Sequence, residues 1–304
     1  MPLDLTAFTS ANAAPADVVD AMQGQIRERT ILLDMLRRQY GPEVGNAPLL
    51  DEEASMLASV VAKAPPAQAL RTFGLLNQVF ADPADYRAAM QQIAPSSPLR
   101  AEAGRLYSLQ RPPGSPPGPI TKGAPNGQYG DVALAILTGE ALLNPAKDAG
   151  DSKPVTMPPP QDMKRMIASS LRESFAGRPG ELQTAVDAVH AYYASKTADA
   201  GDITGRLNSQ RLRDAIGAVV GEKVRYEGRD VVPPWGMSAT KFRDVADDYV
   251  QARLKVAGLR DPGNVALVNV RDRPGYYALV RGIEPLRDPK NPSLPLIIRV
   301  GAPK

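Results

Sequence analysis

The segment of residues 109–130 contains six prolines and five glycines. Because proline lacks a backbone N–H and has a fixed φ, this segment cannot continue a helix or take a central place in a sheet. We expect an extended linker, or a strap lying on a surface, with folded parts before and after it. An alternative interpretation is a polyproline ligand for a partner's aromatic groove, because its run PPGSPPGP is typical of such ligands.

Helical periodicity dominates the residues on both sides of this linker. Seven apolar residues of segment 15–41 recur at helical spacing, namely Val18, Val19, Met22, Ile26, Leu33, Leu36 and Tyr40. We predict that residues 1–108 form a helical array and that residues 131–207 form a second helical region with a proline-rich gap at 145–160. One apolar stripe of that region consists of Met163, Met166, Ile167 and Leu171.

The apolar spacing changes from helical to alternating after residue 223. Short alternating segments flank Glu227-Gly228-Arg229, and longer ones flank residues 272–275, so each pair predicts a β-hairpin. Residues 294–300 predict a last strand, and a helix is expected between the two hairpins. Residues 208–304 are therefore predicted to form a small α+β domain with an antiparallel sheet. The chain as a whole is predicted to be mainly α with this C-terminal α+β domain.

Trp235 is the only tryptophan of the chain, and it lies in the rigid run VVPPWGMS between the first hairpin and the following helix. We interpret it as a hydrophobic plug that fixes one corner of the C-terminal domain. The alternative is an exposed contact with a partner, in which Tyr226 and Phe242 would take part. A large apolar patch around Trp235 would favour that alternative.

The residue composition removes most classes of catalytic site. The chain has no cysteine and a single histidine, His190, whereas zinc sites recruit several His or Cys ligands and a Ser-His-Asp triad depends on its base. We interpret His190 as a surface or half-buried helical residue. No phosphate-binding or dinucleotide-binding glycine pattern is present. We therefore expect no catalytic residue, no metal, no cofactor and no small-molecule substrate.

One glutamate, Glu173, lies in a run that resembles the start of a catalytic motif. Glu173 lies in the run RESFAG, and Glu-Ser opens the catalytic motif of lytic transglycosylases, which use a buried glutamate as general acid. The turn that follows this motif in those enzymes is absent here, so we interpret Glu173 as an exposed helical residue. The alternative is a peptidoglycan-cleaving enzyme that uses Glu173, with Tyr192 or Tyr193 lining the cleft.

Charge is unevenly distributed along the chain. Residues 1–150 carry 12 Lys and Arg against 15 Asp and Glu, and residues 151–304 carry 24 against 18. Without a dense basic stripe we interpret the excess in the later half as solvated surface, and weak DNA contact is the alternative. No run of about 18 apolar residues occurs, so no transmembrane insertion is expected.

Three stretches together resemble a module of virion proteins: LTGEALLNP (137–145), AVHAYYASK (188–196) and VVPPWGMSATKF (231–242). Internal or ejected proteins of tailed bacteriophages and prophages contain similar stretches, and they often also carry a lytic transglycosylase domain. The resemblance covers residues 130–304 and, more loosely, 1–108.

This resemblance implies a non-enzymatic structural component of a phage or prophage particle. Such a protein is expressed in the bacterial cytoplasm, packed in the particle interior and ejected with the genome. Its expected partners are other virion proteins or copies of itself. The catalytic motif of the lytic domain is not in this chain, so the resemblance transfers no catalytic residue to it.

Overall fold

The computed structural model of the protein describes residues 3, 5, 16–41, 47–80, 82–108, 129–145, 155–175, 179–221, 223–233, 239–259, 264–270 and 275–300. These residues form ten helices and eight short strands, and all of the strands lie after residue 223. The predicted fold class, mainly α with a small C-terminal antiparallel sheet, is confirmed. Trp235 and residues 109–128 of the predicted linker lie outside the described residues.

The helices are α1 (Ala16–Tyr40), α2 (Asp51–Lys63), α3 (Pro66–Val79), α4 (Pro83–Ile93), α5 (Pro98–Ser108), α6 (Tyr129–Leu143), α7 (Pro160–Leu171), α8 (Pro179–Asp199), α9 (Ser209–Val220) and α10 (Ala239–Val256). Five of them begin at proline, whose fixed φ suits the first turn and whose missing N–H costs nothing there. The N-terminal cap of α9 is Asn208, whose side chain accepts a hydrogen bond from the N–H of Arg211 at 2.9 Å.

The chain divides into two compact units. The first comprises Met1–Pro158 and Asp187–Arg206, and the second comprises Pro159–Val186 and Leu207–Lys304. We refer to them below as the first and second unit.

Polar side chains tie the helices of the first unit to one another. Arg100 of α5 donates hydrogen bonds to the carbonyls of Val61 and Ala64 at the C-terminal end of α2. Its Nε also donates to Glu140 of α6 at 2.7 Å. One guanidinium thus satisfies carbonyls that the end of a helix leaves without intrahelical partners. Around such contacts lies a core of fully buried side chains, which includes Leu57, Val61, Phe73, Leu76, Tyr86, Ile93 and Ile136.

Gly139 of α6 lies directly against the backbone of Ala191 in α8. A Cβ added to Gly139 would lie 1.7 Å from the carbonyl oxygen of Ala191. Gly139→Ala is therefore expected to lower the free energy of unfolding by about 1–3 kcal/mol, the usual cost of overpacking. Thermal unfolding followed by circular dichroism measures this loss.

Gly24→Ala is the matched control, because an added Cβ at Gly24 of α1 meets no atom within 4 Å. It should stabilise the protein by about 0.5–1 kcal/mol through its better helix propensity. Equal effects of the two substitutions would contradict the close approach at Gly139.

The second unit contains the strands. They are β1 (Val224–Tyr226), β2 (Arg229–Val231), β3 (Ala266–Asn269), β4 (Tyr276–Arg281), β5 (Glu284–Pro285), β6 (Arg287–Asp288), β7 (Asn291–Pro295) and β8 (Ile297–Arg299). A four-stranded antiparallel sheet joins β3, β4, β5 and β8, with β4 pairing the other three. Two separate hairpins pair β1 with β2 and β6 with β7. Both sequence-predicted hairpins are therefore present.

Asn269 joins the β1–β2 hairpin to this four-stranded sheet. Its side-chain amide accepts a hydrogen bond from Val232 N at 3.0 Å and donates one to Val232 O at 2.8 Å. Tyr277 Oη donates a second hydrogen bond to the same carbonyl at 2.7 Å. Because the amide reproduces the donor and acceptor of a peptide group, it binds the backbone of Val232 as a paired strand residue would.

Candidate functional site

A group of charged side chains lies in the second unit between the C-terminal end of α7 and the β1–β2 hairpin. We call it the hairpin cluster, and its members are Glu173, Lys223, Arg225 and Asp230. It contains Glu173, the one carboxylate that the sequence offers as a general acid. Its geometry therefore bears on whether the chain is an enzyme.

The turn of the hairpin places two of these residues on one face. Glu227 and Gly228 form the two-residue loop, with φ values of 44° and 80°, as a type I′ turn requires. The register that follows pairs Arg225 directly with Asp230 across the two strands. Side chains of directly opposite residues point to the same face of a hairpin. Arg225 Nη1 lies 3.3 Å from Asp230 Oδ1.

Glu173 reaches this pair from the turn that follows α7. Its Oε2 accepts a hydrogen bond from Arg225 Nη1 at 2.6 Å. The Glu173 and Arg225 side chains are 52% and 56% exposed. The hydrogen bond between Arg225 and Asp230 is the main cause of a raised pKa of Arg225, and the charge of Glu173 adds to it. The guanidinium therefore remains charged between two carboxylates.

Lys223 fastens the hairpin to α7. Its ammonium donates to the carbonyl of Ser170 at 2.7 Å and to Ser170 Oγ at 3.1 Å, and it lies 3.4 Å from Asp230 Oδ2. A cation at the last carbonyls of a helix is favourable because it complements the helix dipole. The hairpin cluster therefore has a positioning role that needs no substrate.

Two residues that the alternative interpretation of Trp235 assigns to a partner contact are core residues in the structure. Phe242 is fully buried and Tyr226 is buried as well. Their rings make an edge-to-face contact with centroids 6.2 Å apart. Burial, together with the hydrogen bond that Tyr226 Oη donates to Asp247, raises the pKa of Tyr226. A partner would have to open this core to reach either ring. Trp235, the third candidate contact, lies outside the described residues.

His190 is only 5% exposed, so its interpretation as a surface or half-buried residue is wrong. The reason is that α8 is flanked by packing on several sides, as the buried small residues Ala188, Ala191 and Ala194 show.

Tyr193 is also fully buried. Tyr192 is half-buried and has Lys196 Nζ 5.7 Å from its ring centroid. These residues belong to the first unit, whereas Glu173 belongs to the second.

An exposed apolar surface on α1 was not predicted from the sequence. Ile31, Leu32 and Met35 are 55%, 55% and 61% exposed. The sequence had indicated one apolar stripe on this helix, and these three residues lie outside that stripe. The sequence nevertheless contained a signal, because apolar residues occur on two opposite faces of α1. Each apolar face of a helix is expected to have an apolar neighbour.

In the part of the chain that the structure describes, no group of three or more His, Asp or Glu side chains is arranged to hold a metal ion. None of the described helices combines the length and apolar composition that a membrane crossing needs. In comparisons with known proteins, no family model, curated protein or solved structure matches the chain.

Proposed function

We propose that the chain is a non-enzymatic structural component of a phage or prophage particle, packed inside the particle and ejected with the genome. The observation that carries the non-enzymatic part is the ion pair between Glu173 and Arg225. The resemblance of three sequence stretches to internal virion proteins supports the assignment of the chain to a phage particle. Its partners in this proposal are other virion proteins or further copies of the chain.

The ion pair matters because of what a glycosidase requires from its acid. A general acid is kept protonated by an apolar pocket or by a nearby like charge. Glu173 is instead half exposed, and a guanidinium lies 2.6 Å from its carboxylate. The carboxylate of Glu173 is thus paired with Arg225 rather than enclosed in an apolar pocket. The geometry therefore supports a positioning role for Glu173 in the hairpin cluster.

A dye-release assay on labelled peptidoglycan tests this part of the proposal. We expect no release above buffer from the wild type, and none from Glu173→Gln. Because exposed ion pairs contribute about 0–1 kcal/mol, Glu173→Gln should also change the stability of the protein very little. Release by the wild type that disappears in Glu173→Gln would establish the alternative, a peptidoglycan-cleaving enzyme.

DNA contact is a second candidate, and the charge of the second unit favours it. This unit contains 21 Lys and Arg against 14 Asp and Glu, a net charge of +7. Phosphate contacts by such a surface produce binding that weakens steeply with salt. Retention on duplex DNA with a steep salt dependence would favour this candidate. Absent or salt-insensitive retention would remove it.

A further inference from the structure

The second half of α1 has two chemically distinct sides. Its packed side continues from the buried residues Val19, Met22 and Ile26. Further along the helix, that side is fixed by polar contacts of Arg29 with Glu53 and of Thr30 with Asp85. These contacts account for one side of the helix only.

The opposite side presents a continuous stripe to solvent. Its members follow the spacing of a helix face and are Glu28, Ile31, Leu32, Met35 and Arg38. We call this stripe the outer face. Glu28 follows Ile26 by two residues, which is about 200° around the helix axis, so the outer face lies opposite the packed side. A helix side turned to water is normally polar, whereas the middle of this one consists of large apolar residues.

The charges at the two ends of the outer face are opposite. Glu28 lies one turn before Ile31, and Arg38 lies one turn after Met35. Both side chains are exposed, and neither takes part in an ion pair among the described residues. In chain direction the stripe thus consists of an acidic residue, an apolar centre and a basic residue. A second copy of the stripe in antiparallel orientation is therefore complementary to the first.

We propose that the outer face is the contact surface for a second copy of the chain, formed by antiparallel pairing of two α1 helices around a two-fold axis near residue 33. In this register Glu28 of each copy faces Arg38 of the other, and Ile31 of each copy faces Met35 of the other. A two-fold interface uses the same patch on both subunits and requires this kind of self-complementarity. Leu32 completes the apolar centre between the two ion pairs.

The inference deepens the proposed function and rests on it for the idea that the chain assembles with copies of itself. Its test is independent of peptidoglycan cleavage, because it measures only whether the chain is a monomer or a dimer in solution. Failure of the pairing would therefore leave the dye-release result unchanged. A lytic activity would equally leave the pairing unchanged.

Sedimentation velocity of the full chain between about 1 and 100 μM tests the pairing, because this range covers weak and moderate dimers. The wild type should shift from monomer towards dimer as its concentration rises. Met35→Glu places two charges in the apolar centre and should raise the dimer Kd at least about tenfold. A wild type that remains monomeric at the highest concentration would overturn the proposal.

Charge exchange tests the antiparallel register. Glu28→Lys alone and Arg38→Glu alone each place like charges opposite each other twice per dimer, so each should weaken self-association. The double variant restores both pairs and should dimerise like the wild type. An equimolar mixture of the two single variants should form mixed dimers. In such a dimer the introduced lysine of one copy faces the introduced glutamate of the other, and the unchanged Arg38 faces the unchanged Glu28.

Asp20→Lys is the matched control for these charge changes. Asp20 is exposed on the same helix, but in the proposed register residue 26 already lies level with residue 40, the last of the partner helix. This variant should dimerise like the wild type. A loss in Asp20→Lys equal to that in Glu28→Lys, or a double variant that stays monomeric, would contradict the register.

Discussion

Replacement of Phe242 by alanine is expected to lower the free energy of unfolding of the second unit by about 3–5 kcal/mol, the usual cost of truncating a buried aromatic residue. Phe242 lies on α10 with no exposed surface. Its ring contacts Tyr226 of β1 and Tyr277 of β4, the latter with centroids 5.4 Å apart. The substitution therefore opens a cavity where the helix, the hairpin and the sheet meet.

Hydrogen exchange of the amides in β3 and β4 measures this loss, because it reports on the sheet of the second unit rather than on the whole chain. Ile283→Ala is the matched control in the same unit. Ile283 is 90% exposed, so its truncation should change stability by no more than about 0.5 kcal/mol. Similar exchange rates in the two variants would contradict the assignment of Phe242 to the core.

Replacement of Glu53 by glutamine is the other substitution with a large expected effect. The Glu53 side chain is 4% exposed and forms an ion pair with Arg29 at 2.6 Å. It also accepts hydrogen bonds from the backbone N–H groups of Leu3 at 2.6 Å and Leu50 at 2.9 Å. Removing one partner of a buried ion pair costs about 3–5 kcal/mol. Urea unfolding at neutral pH measures this loss.

The same carboxylate predicts a dependence of stability on pH. Burial raises the pKa of Glu53, but hydrogen bonds from Arg29 and from the Leu3 and Leu50 amides outweigh it and lower the pKa below its ordinary value of 4.5. The unfolded chain thus binds this proton more readily than the folded protein. The stabilisation is complete above pH 4.5 and is lost as the pH falls through the lower pKa of the folded state.

Glu53→Gln should therefore lose less stability than the wild type as the pH falls below 4.5. Glu52→Gln is the control, because Glu52 is the exposed neighbour in the same helical turn. It should retain the stability and acid sensitivity of the wild type. A Glu53→Gln variant that is as acid-sensitive as the wild type would show that another group is responsible.

Local chemistry explains why the fold class was predictable. Asn208 caps α9, and Glu227-Gly228 closes the β1–β2 hairpin; both signals involve residues within four positions of one another. Such short-range patterns do not depend on the rest of the chain. They fix where helices and hairpins occur, and they leave open which surfaces meet.

Contacts between distant residues could not be predicted from local patterns. Arg29 and Glu53 are 24 residues apart, and Arg100 and Glu140 are 40 residues apart. Apolar periodicity showed which face of α7 is buried, but it did not show how far that face extends. Met163, Ile167 and Leu171 of the predicted stripe are fully buried, whereas Met166 is 41% exposed. Because a helix has 3.6 residues per turn, residues three positions apart are offset around its axis. Met166 therefore lies at the edge of the stripe.

Residue type likewise left open whether Tyr226 and Phe242 are core residues or contact residues. Phenylalanine and tyrosine serve equally well in cores and in interfaces, so their residue type does not separate the two roles. Tyr226 and Phe242 became core residues because α10 packs across the sheet and the hairpin. A stripe of exposed apolar residues was found on α1, where sequence spacing had indicated only one buried side.

The central claim, that the chain is a structural component inside a phage particle, is tested most directly by quantitative mass spectrometry of purified particles. Particles are prepared from a bacterium whose phage or prophage encodes the chain, and they are treated with protease before and after genome ejection. We predict that the chain is present in intact particles, that external protease does not degrade it, and that it leaves the particle together with the genome. A chain that is absent from purified particles and remains in the cell lysate would contradict the claim.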